Sequence, residues 1–416
     1  MRICLLSYRG NMFSGGQGIY LYYLSRELAQ RGHEITVLVG PPYPWEMPWA
    51  RVIKITNHNF YARKRDFLPK DNPFKIFSPL NFYEFVLTRF WFFPEMFTFS
   101  LRAFHCLSQL ISQGERFDLV HDNQGLGYGQ LLVKRLGLPV IATIHHPLAK
   151  DRGADFEQTH SLLERARRVV FYPFMMQKIV ARAMDLVISG SQESAQAVQE
   201  TFGISPEKMR VVYDGVDQEV FYPRPEVKRK KGRIIFVGNT EDRKKGILYL
   251  IRALALLPGW VQLVIVDGGA KWKFYLNYLL DRYRVRKRVE IKEGLSPQEL
   301  ALQYCQAEIA VVPSLYEGFG LPAAEAMACA TPVISTDAGA LPEVVGNDGC
   351  GILVPARNSR ALAEKILLLL NHPQLRQEMG KKASERVHKY FTWRECARGT
   401  EQVYQEVLEK ARYAHG

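Results

Sequence analysis

Short apolar runs alternate along the chain with longer segments whose apolar residues recur every three to four positions. "RICLLSY" and "HEITVLVG" have the length of buried strands, and "GIYLYYLSRELAQRG" between them has the spacing of an amphipathic helix. The runs "FDLVHDN", "LPVIATIHH" and "MDLVISGS" repeat the pattern further on. We therefore expect βαβ units that form a parallel sheet with helices on both faces.

A basic, proline-containing stretch, "YPRPEVKRKKGR" (222–233), interrupts this pattern. A second alternating series follows it, made of "IIFVGNTEDRKKGILYLIRALALL", "QLVIVDGG", "VEIKEG", "IAVVPS" and "TPVISTD". The pattern predicts an α/β protein with two Rossmann-like, doubly wound parallel-sheet domains. We place the first domain at 1–222 and the second at 223–392, followed by a helical segment at 393–416.

Residues 41–110 depart from the alternation, since aromatic residues there are interleaved with cations and prolines. The cations are Arg63, Lys64, Arg65, Lys70, Lys75, Arg89 and Arg102. Rings with an apolar body beside cations are typical of a membrane interface with anionic headgroups. The alternative is an inserted helical hairpin whose aromatic residues pack onto the first domain.

Composition narrows the class of protein. The chain has 416 residues, of which 47% are hydrophobic and 23% charged, as in ordinary soluble globular proteins. A net charge of +13 indicates an anionic partner such as nucleic acid, a membrane surface or a phosphorylated substrate. The six cysteines are scattered, which favours buried thiols in a reducing compartment over a disulfide framework or zinc site. Because the N-terminal apolar run is short, we expect a first strand and a cytoplasmic location.

Three glycines, Gly15, Gly16 and Gly18, lie between the first strand and its helix. Glycine there allows a ligand to approach the backbone closely, and a helix N-terminus favours an anion. The dinucleotide-binding pattern needs a further glycine and an acid at the end of the second strand, and both are missing here. We therefore expect no NAD site, and an ordinary turn explains the glycines equally well.

The segment "FVGNTEDRKKGILYL" (236–250) places cations at the end of a strand. The strand ends at Gly238, and Arg243, Lys244 and Lys245 precede the next helix. Cations beside a helix N-terminus suit a diphosphate, because fixed charge and backbone donors act together. A solvated charge run is the alternative, although it does not explain why the run lies at the crevice of an open α/β sheet.

A second strand-turn-helix junction, "VVPSLYEGFGLPAAEAM", carries two carboxylates. Pro322 fits the first helical turn, and Glu325, one turn into the helix, can accept both hydroxyls of a ribose. Glu317 precedes the helix and can bind a second polyol. Backbone amides at the turn can donate to an anion, namely those of Phe319, Gly320 and Leu321. For either acid alone, stabilisation by the helix dipole is a sufficient explanation.

The longer segment "PSLYEGFGLPAAEAMACATPVISTDAGALPEVV" closely resembles the signature of retaining glycosyltransferases of family 4, which have the GT-B fold. The resemblance continues in "GILVP", "VVYDGVD", "SGGQGIY", "LPVIATIHH" and the late segment "FTWRECA". It covers most of the chain except roughly 41–110. It implies two Rossmann-like domains that face a cleft, with the segment 393–416 returning to the first domain.

The resemblance also implies roles for individual residues. Glu317 and Glu325 match the two acids of the family's Glu-x7-Glu motif, with the first beside the donor sugar and the second on the donor ribose. Lys245 matches the lysine that neutralises the leaving diphosphate, and Gly16 lies where the first-domain loop meets that diphosphate. His145 matches the histidine near the donor sugar and the reacting carbon.

One position departs from the family pattern. The family often has arginine after the strand-end glycine, where this chain has Asn239, and Arg243 is the candidate for the missing cation. We expect no metal and no cofactor, because the chain has neither an Asp-x-Asp motif nor a cysteine-histidine cluster. His145 and His146 are adjacent on a strand and therefore are not expected to face one site together.

The main hypothesis is a retaining, metal-independent glycosyltransferase that uses a nucleotide diphosphate sugar, with UDP favoured over GDP on family grounds. The expected acceptor is a lipid-linked or cell-envelope glycan, with peripheral attachment to the cytoplasmic membrane face and no nucleic-acid partner. Two alternatives remain open. One is a nucleotide-sugar epimerase of the same fold, and the other is a non-catalytic basic protein that binds membrane or nucleic acid.

Overall fold

The computed structural model describes residues 1–12, 16–57, 72–90, 94–147, 174–268 and 273–415. The chain divides into two compact units. Unit 1 contains Met1–Gly190, Ser194–Val212 and Ala397–Gly416, and unit 2 contains Ser191–Glu193 and Tyr213–Cys396. Gly15, residues 58–71 and residues 91–93, to which sequence-based predictions refer, lie outside the described residues.

Unit 1 is built on a seven-stranded parallel sheet of order β3-β2-β1-β4-β5-β6-β7. The strands are β1 Arg2–Ser7, β2 Glu34–Val39, β3 Arg51–Lys54, β4 Leu119–Asn123, β5 Val140–Thr143, β6 Leu186–Ser189 and β7 Met209–Val211. The helices among the described residues up to Val212 are α1 Gln17–Gln30, α2 Pro79–Arg89, α3 Glu95–Ser112, α4 Gly129–Lys134, α5 Phe174–Ala183 and α6 Gln192–Phe202.

Unit 2 is built on a six-stranded parallel sheet of order β10-β9-β8-β11-β12-β13. Its strands are β8 Arg233–Val237, β9 Gln262–Asp267, β10 Val289–Glu293, β11 Ile309–Val312, β12 Val333–Thr336 and β13 Gly351–Val354. The helices that follow are α7 Ile247–Leu256, α8 Phe274–Arg282, α9 Pro297–Gln306, α10 Leu321–Ala328, α11 Leu341–Val345, α12 Ser359–Asn371, α13 Pro373–Tyr390 and α14 Trp393–His415.

The sheet of unit 2 is covered by apolar layers on both faces. Ile235 and Val264 belong to one buried cluster, with residues of α9, α10, α11 and α13. Their neighbours Ile234 and Phe236 belong to a second cluster, with residues of α7, α8 and α12. Alternate residues of a strand point to opposite faces, so both faces of this sheet are buried. The predicted doubly wound α/β architecture is therefore present.

Each sheet has a point where the strand order reverses. In unit 1 this point lies between β1 and β4, and in unit 2 between β8 and β11. In open α/β sheets, ligands bind at the carboxyl ends of the strands beside this reversal. The order of strands therefore marks the loops after β1 and β4, and those after β8 and β11, as candidate functional loops.

Parts of the region 41–110 belong to the fold of unit 1 itself. Residues 51–54 form the edge strand β3, paired in parallel with β2. Helix α3 buries Met96, Phe99 and Leu107 in the core of unit 1. The region predicted to be an insertion thus includes a strand and a core helix of unit 1. The sequence pattern did not reveal them, because both lie among closely spaced aromatic residues.

The segments near the predicted domain boundaries pack as follows. Residues 213–222 group with unit 2, since Val216, Val220 and Phe221 lie in a core cluster of that unit. Residues 397–416 group with unit 1. All six cysteines are free. No helix in the described ranges is long and apolar enough to cross a membrane.

Candidate active site

Lys245 and Glu317 meet at the strand-order reversal of unit 2. The Nζ atom of Lys245, which follows β8, lies 2.8 and 3.0 Å from the two carboxylate oxygens of Glu317, which follows β11. Ser314 donates its hydroxyl to Oε1 of Glu317 at 2.7 Å. The Glu317 carboxylate is buried and the Lys245 side chain half-buried. An ammonium with three donors, held at a strand-end crevice, is suited to an anionic oxygen.

Tight backbone packing brings these two loops together. The amide of Leu315 donates to the carbonyl of Lys244 at 2.7 Å. Gly246 has φ +68°, and a Cβ there would lie 1.8 Å from the carbonyl oxygen of Pro313. Only glycine fits this close approach, which seats Lys245 beside the loop after β11.

The Glu317 backbone is fixed from the other side by the loop after β12. The amide of Ala340 donates to the Glu317 carbonyl at 3.0 Å. Gly339, with φ +59°, lies against the same peptide group, where a Cβ would come within 2.3 Å of that carbonyl oxygen. The carboxylate therefore projects from a backbone that neighbouring loops hold in place.

The turn after Glu317 leads directly into α10. Gly320 precedes the helix with φ +101°, and Pro322 lies in its first turn as predicted. Phe319 is buried among Tyr213 and Phe391, so its side chain belongs to the core. A ligand at this turn would meet backbone groups, as the roles predicted for Phe319, Gly320 and Leu321 require.

Glu325 lies on α10 and is half-buried. Its Oε2 accepts a hydrogen bond from the hydroxyl of Tyr304, on α9, at 3.1 Å. Burial raises the pKa of Glu325 to about 7, while the Tyr304 hydrogen bond acts in the opposite direction. Glu325 is thus a carboxylate whose charge state changes near neutral pH.

The loop after β8 is ordered by its own side chains. Asn239 accepts the amide of Glu241 through Oδ1 at 3.0 Å, and Asp242 accepts the amide of Lys244 at 3.0 Å. The guanidinium of Arg243 lies 5.0 Å from the centroid of the Tyr275 ring. Asn239 therefore shapes the turn, and the proposed replacement of the family arginine by Arg243 stays a prediction.

Unit 1 carries two of the predicted site residues, Gly16 and His145. Gly16 precedes α1 with φ +67°, and no described atom lies within 4 Å of a Cβ built on it. Gly18, by contrast, is needed for packing, because a Cβ there would lie 2.1 Å from the carbonyl oxygen of Asn11. His145 follows β5, and its Nε2 lies 2.9 Å from Oδ1 of Asn123 at the end of β4.

The imidazole of His145 is neutral at physiological pH. Burial, together with the nearby His146 and His121, lowers the pKa of His145 to about 3. The Tyr20 ring packs edge-on against it, with ring centroids 4.8 Å apart. A neutral, immobilised imidazole can exchange hydrogen bonds with a sugar hydroxyl, but it supplies no positive charge.

Three contacting residues were not singled out from the sequence. Ser314 and Tyr304 hydrogen-bond the two glutamates, and Asn123 hydrogen-bonds His145. Tyr304 and Asn123 are more than 20 positions from their partners, whereas Ser314 is three positions from Glu317 in the same loop. The position of Asn123 at the end of the run "FDLVHDN" was a usable signal, since polar residues at strand carboxyl ends often bind ligands.

Comparison with known proteins gives the family. The family model described as Glycosyltransferase Family 4 matches residues 14–220, and the one described as Glycosyl transferases group 1 matches residues 217–386. The chain is 38% identical to the MMP alpha-(1->4)-mannosyltransferase of Mycolicibacterium hassiacum, over 99% of each chain. The protein belongs to glycosyltransferase family 4. The predicted family is confirmed, and the chain is a glycosyltransferase.

Another relative and two solved structures are also similar to this chain, and the structures bear on the fold. The D-inositol 3-phosphate glycosyltransferase of Corynebacterium glutamicum is 27% identical, over 98% of this chain and 97% of that one. Sucrose-phosphate synthase from Thermosynechococcus elongatus has a TM-score of 0.76 at 24% identity, covering 99% of this chain and all of its own. Anabaena HepE, solved in complex with UDP and glucose, has a TM-score of 0.71 at 18% identity, covering 97% and 99%. The GT-B fold expected for this family-4 enzyme is confirmed.

Proposed function

We propose that this family-4 enzyme transfers a mannosyl residue from a nucleoside diphosphate mannose to a sugar hydroxyl, with retention of the anomeric configuration. The observation that carries the proposal is the Lys245–Glu317 pair at the strand-order reversal of unit 2. Mannose and the α-(1→4) linkage are taken from the 38% identical mannosyltransferase. Family membership favours transfer over the epimerase and over the non-catalytic binding protein.

In this proposal, unit 2 binds the nucleotide part of the donor. Lys245 forms an ion pair with Glu317 and lies close to the N-terminus of α7. Its ammonium group neutralises the charge that develops on the leaving diphosphate. Glu325 is assigned to the ribose, where it accepts hydrogen bonds from the two hydroxyls; this is the role that the family resemblance implies. Glu317 forms an ion pair with Lys245 and accepts a hydrogen bond from Ser314, and both contacts make its carboxylate a poor nucleophile. We therefore assign Glu317 to binding a hydroxyl of the donor sugar rather than to attack on C1.

The chemical step needs no base from the protein. The bond between C1 of the donor sugar and the diphosphate oxygen breaks, and a bond from C1 to the acceptor oxygen forms on the same face. The acceptor proton passes to the departing phosphate oxygen. His145, being neutral, is proposed to hold a hydroxyl of the donor sugar, which orients C1 for this front-face reaction.

The acceptor is proposed to be a glycan with a free 4-hydroxyl, the position that an α-(1→4) linkage consumes. The lipid-linked or cell-envelope character expected from the sequence remains part of the proposal, as do metal independence and peripheral attachment to the cytoplasmic membrane face. For the donor, UDP is the nucleotide predicted from the sequence. The UDP in the HepE complex supports a nucleotide donor only through a shared fold.

The test is a transfer assay with UDP-mannose and GDP-mannose as separate donors and a synthetic mannoside as acceptor. We expect a product one mannose heavier by mass spectrometry, with an α linkage by NMR, formed equally well with EDTA present. The matched 4-deoxy mannoside should accept nothing. Release of free mannose without transfer, or a β-linked product, would contradict the proposal.

A thermal-shift screen against nucleotide sugars precedes this assay. A ligand that binds only the native protein raises its unfolding midpoint by mass action. We expect a saturable increase with one nucleotide series and none with mannose alone. This result separates donor binding from the choice of acceptor.

A further inference from the structure

The side-chain amide of Asn123 joins three segments of unit 1. Its Nδ2 lies 2.9 Å from the carbonyl oxygen of Gln17, in the first turn of α1, and 3.3 Å from the hydroxyl of Ser7, at the end of β1. Its Oδ1 lies 2.9 Å from Nε2 of His145, after β5. Asn123 itself is buried. A buried amide with partners on both ends has a defined orientation.

The partners determine which end of the amide is which. The carbonyl of Gln17 can only accept a hydrogen bond, so the atom facing it must be the NH₂ group of Asn123. The oxygen of Asn123 then faces His145. Because an amide oxygen only accepts, His145 must carry its proton on Nε2, and the accepting lone pair is on Nδ1.

The tautomer has meaning here because the imidazole stays neutral, with a pKa lowered by burial and by neighbouring histidines. The ring also has a fixed plane. Tyr20 packs edge-on against it, and the Tyr20 hydroxyl lies 2.9 Å from Oγ1 of Thr143. Both the ring orientation and the proton position of His145 are therefore set by neighbouring side chains.

The geometry points to Asn123 as a positioning residue for the transfer reaction. It holds His145 as the Nε2–H tautomer, so that Nδ1 accepts a hydrogen bond from a hydroxyl of the donor sugar. This inference rests on the proposed function for the role of His145. The tautomer itself follows from the contacts of Asn123 alone and is measured without substrate.

The experiment combines histidine NMR with steady-state kinetics on the full chain. Protein labelled with ¹⁵N-histidine is recorded as wild type and as Asn123→Ala, with the His145 signals assigned from His145→Gln. We expect a single Nε2–H tautomer in the wild type and a mixture in Asn123→Ala. In the transfer assay, kcat should fall on the order of 10–100-fold, by analogy with the partners that orient metal-binding histidines, while KM for the donor changes less than about threefold.

Two further variants separate positioning from folding. Asn123→Asp keeps an oxygen that accepts from Nε2–H, so it should retain the tautomer and recover part of kcat relative to Asn123→Ala. Ser7→Ala removes the 3.3 Å contact with Asn123, together with the 2.7 Å bond from the Ser7 hydroxyl to the Arg9 carbonyl, but leaves the bond between Asn123 and His145, so it should keep both tautomer and rate. A wild-type His145 protonated on Nδ1 would overturn the inference, even if the Asn123 variants failed to fold. So would unchanged kcat in an Asn123→Ala protein with mixed tautomers.

Failure of the proposed function gives a different result. If no mannosyl donor is turned over, the proposal of mannosyl transfer falls, while the tautomer measurement still decides whether Asn123 orients His145.

Discussion

At the scale of single residues, the proposal assigns Lys245 to stabilising the negative charge that develops on the leaving diphosphate. Lys245→Ala removes the only cation that contacts Glu317 among the described contacts and leaves that buried carboxylate with Ser314. We expect kcat for transfer to fall about 10²–10³-fold, the usual loss when one donor to developing negative charge is removed. Initial rates at saturating donor give this value.

Lys244→Ala is the matched control for this variant. It removes a neighbouring cation from the same run but keeps the backbone bond from Leu315 to the Lys244 carbonyl. Its kcat should stay within about threefold of wild type, because the cation that contacts Glu317 is Lys245. Equal losses in both variants would show that Lys245 acts only through general positive charge.

Glu325 predicts a pH dependence for donor binding. Its pKa is raised to about 7, and a ribose diol is bound best by the ionised carboxylate, which exists above that pKa. Affinity for the nucleotide sugar should therefore be full above pH 8 and fall as pH drops through 7, approaching about tenfold per pH unit. Calorimetry from pH 5.5 to 8.5 measures this. Nucleotide sugar is used because a free terminal phosphate titrates near pH 6.

Two variants test the source of this dependence. Tyr304→Phe removes a hydrogen bond that favours the ionised carboxylate and keeps the buried ring, so the midpoint of the binding curve should move to higher pH. Glu325→Gln should bind weakly at all pH values, with a flat curve. A pH-independent affinity in the wild type would rule out the ribose role of Glu325.

In the candidate site, the charged residues could be predicted from the sequence, but the neutral residues that hydrogen-bond the site residues could not. Lys245, Glu317 and Glu325 were predicted because each lies in a local strand-turn-helix pattern with a recognisable family signature. Tyr304 and Asn123 act through contacts across 21 and 22 positions, on elements whose packing only the three-dimensional fold defines. Ser314 lies three positions from Glu317, and its hydroxyl reaches the carboxylate only because the loop turns back there. Tyr304 in particular looks like any apolar helix residue, since its ring belongs to the core.

At the scale of elements, the junction between α7 and β11 depends on Gly246. Gly246→Ala introduces a Cβ 1.8 Å from the Pro313 carbonyl, in addition to strain from φ +68°. Strain alone costs about 1–2 kcal/mol, and the backbone overlap adds to it. We expect a lower thermal midpoint and weaker nucleotide binding, because the loop carrying Lys245 must move.

Gly294→Ala is a control with the same strain and no overlap. Its φ is +62°, and no described atom lies within 4 Å of the added Cβ. Its midpoint should fall by only a few degrees, since about 1 kcal/mol shifts a unit of this size by roughly 2–4 °C. If both variants melt at the same temperature, the contact with Pro313 is not what requires glycine.

Helix α2 and the turn before it expose aromatic residues and bury an acid. Glu84 is buried, with Arg102 donating to it at 2.6 Å, while Phe74, Phe77, Phe82 and Phe90 are exposed. Exposed aromatic side chains beside a buried acid are the opposite of the usual arrangement on a water-facing helix. This arrangement supports the membrane hypothesis for the described part of residues 41–110. Phe74→Ser with Phe77→Ser should weaken binding to anionic vesicles about tenfold or more, given the apolar area removed.

Phe274→Ser on unit 2 is the matched control for vesicle binding. Phe274 is 74% exposed and Phe74 is 77% exposed, so Phe274→Ser removes about as much apolar surface as Phe74→Ser alone. Flotation with vesicles at low salt measures the fraction bound. Equal losses in the two variants, or no binding by the wild type, would remove α2 as the membrane contact.

Element prediction from the sequence succeeded where periodicity was clear. Strands β1, β2, β4–β6 and β8–β12 lie at the predicted apolar runs, because buried parallel strands read as continuous apolar segments. The short strands β3, β7 and β13 were not predicted as strands. β3 and α3 were not separated from the aromatic region, since β3 has only four residues and is not fully buried. α3 carries buried Glu95 and Thr98, which blur its apolar stripe.

At the scale of the whole molecule, the two units differ in how many segments of the chain form them. Unit 2 is formed by one almost continuous segment, Tyr213–Cys396, and both of its apolar clusters lie within it. Unit 1 needs the end of the chain as well. Tyr404 on α14 lies 2.6 Å from Nδ1 of buried His121, and Oε1 of Glu401 lies 2.8 Å from Nε2 of His33.

This asymmetry predicts different behaviour for the separated parts. A fragment 213–396 should fold cooperatively and bind the nucleoside diphosphate of the donor, without transfer activity. A fragment 1–212 should not fold alone, because it lacks buried Val403, Tyr404 and Val407. Each of these is worth about 1.5–3 kcal/mol, and their sum is a large share of a typical stability of 5–15 kcal/mol. Circular dichroism melts and calorimetry measure both properties, and addition of a 397–416 peptide should restore a cooperative melt to 1–212. A sharp melt of 1–212 without that peptide would show that the C-terminal helix is dispensable for unit 1.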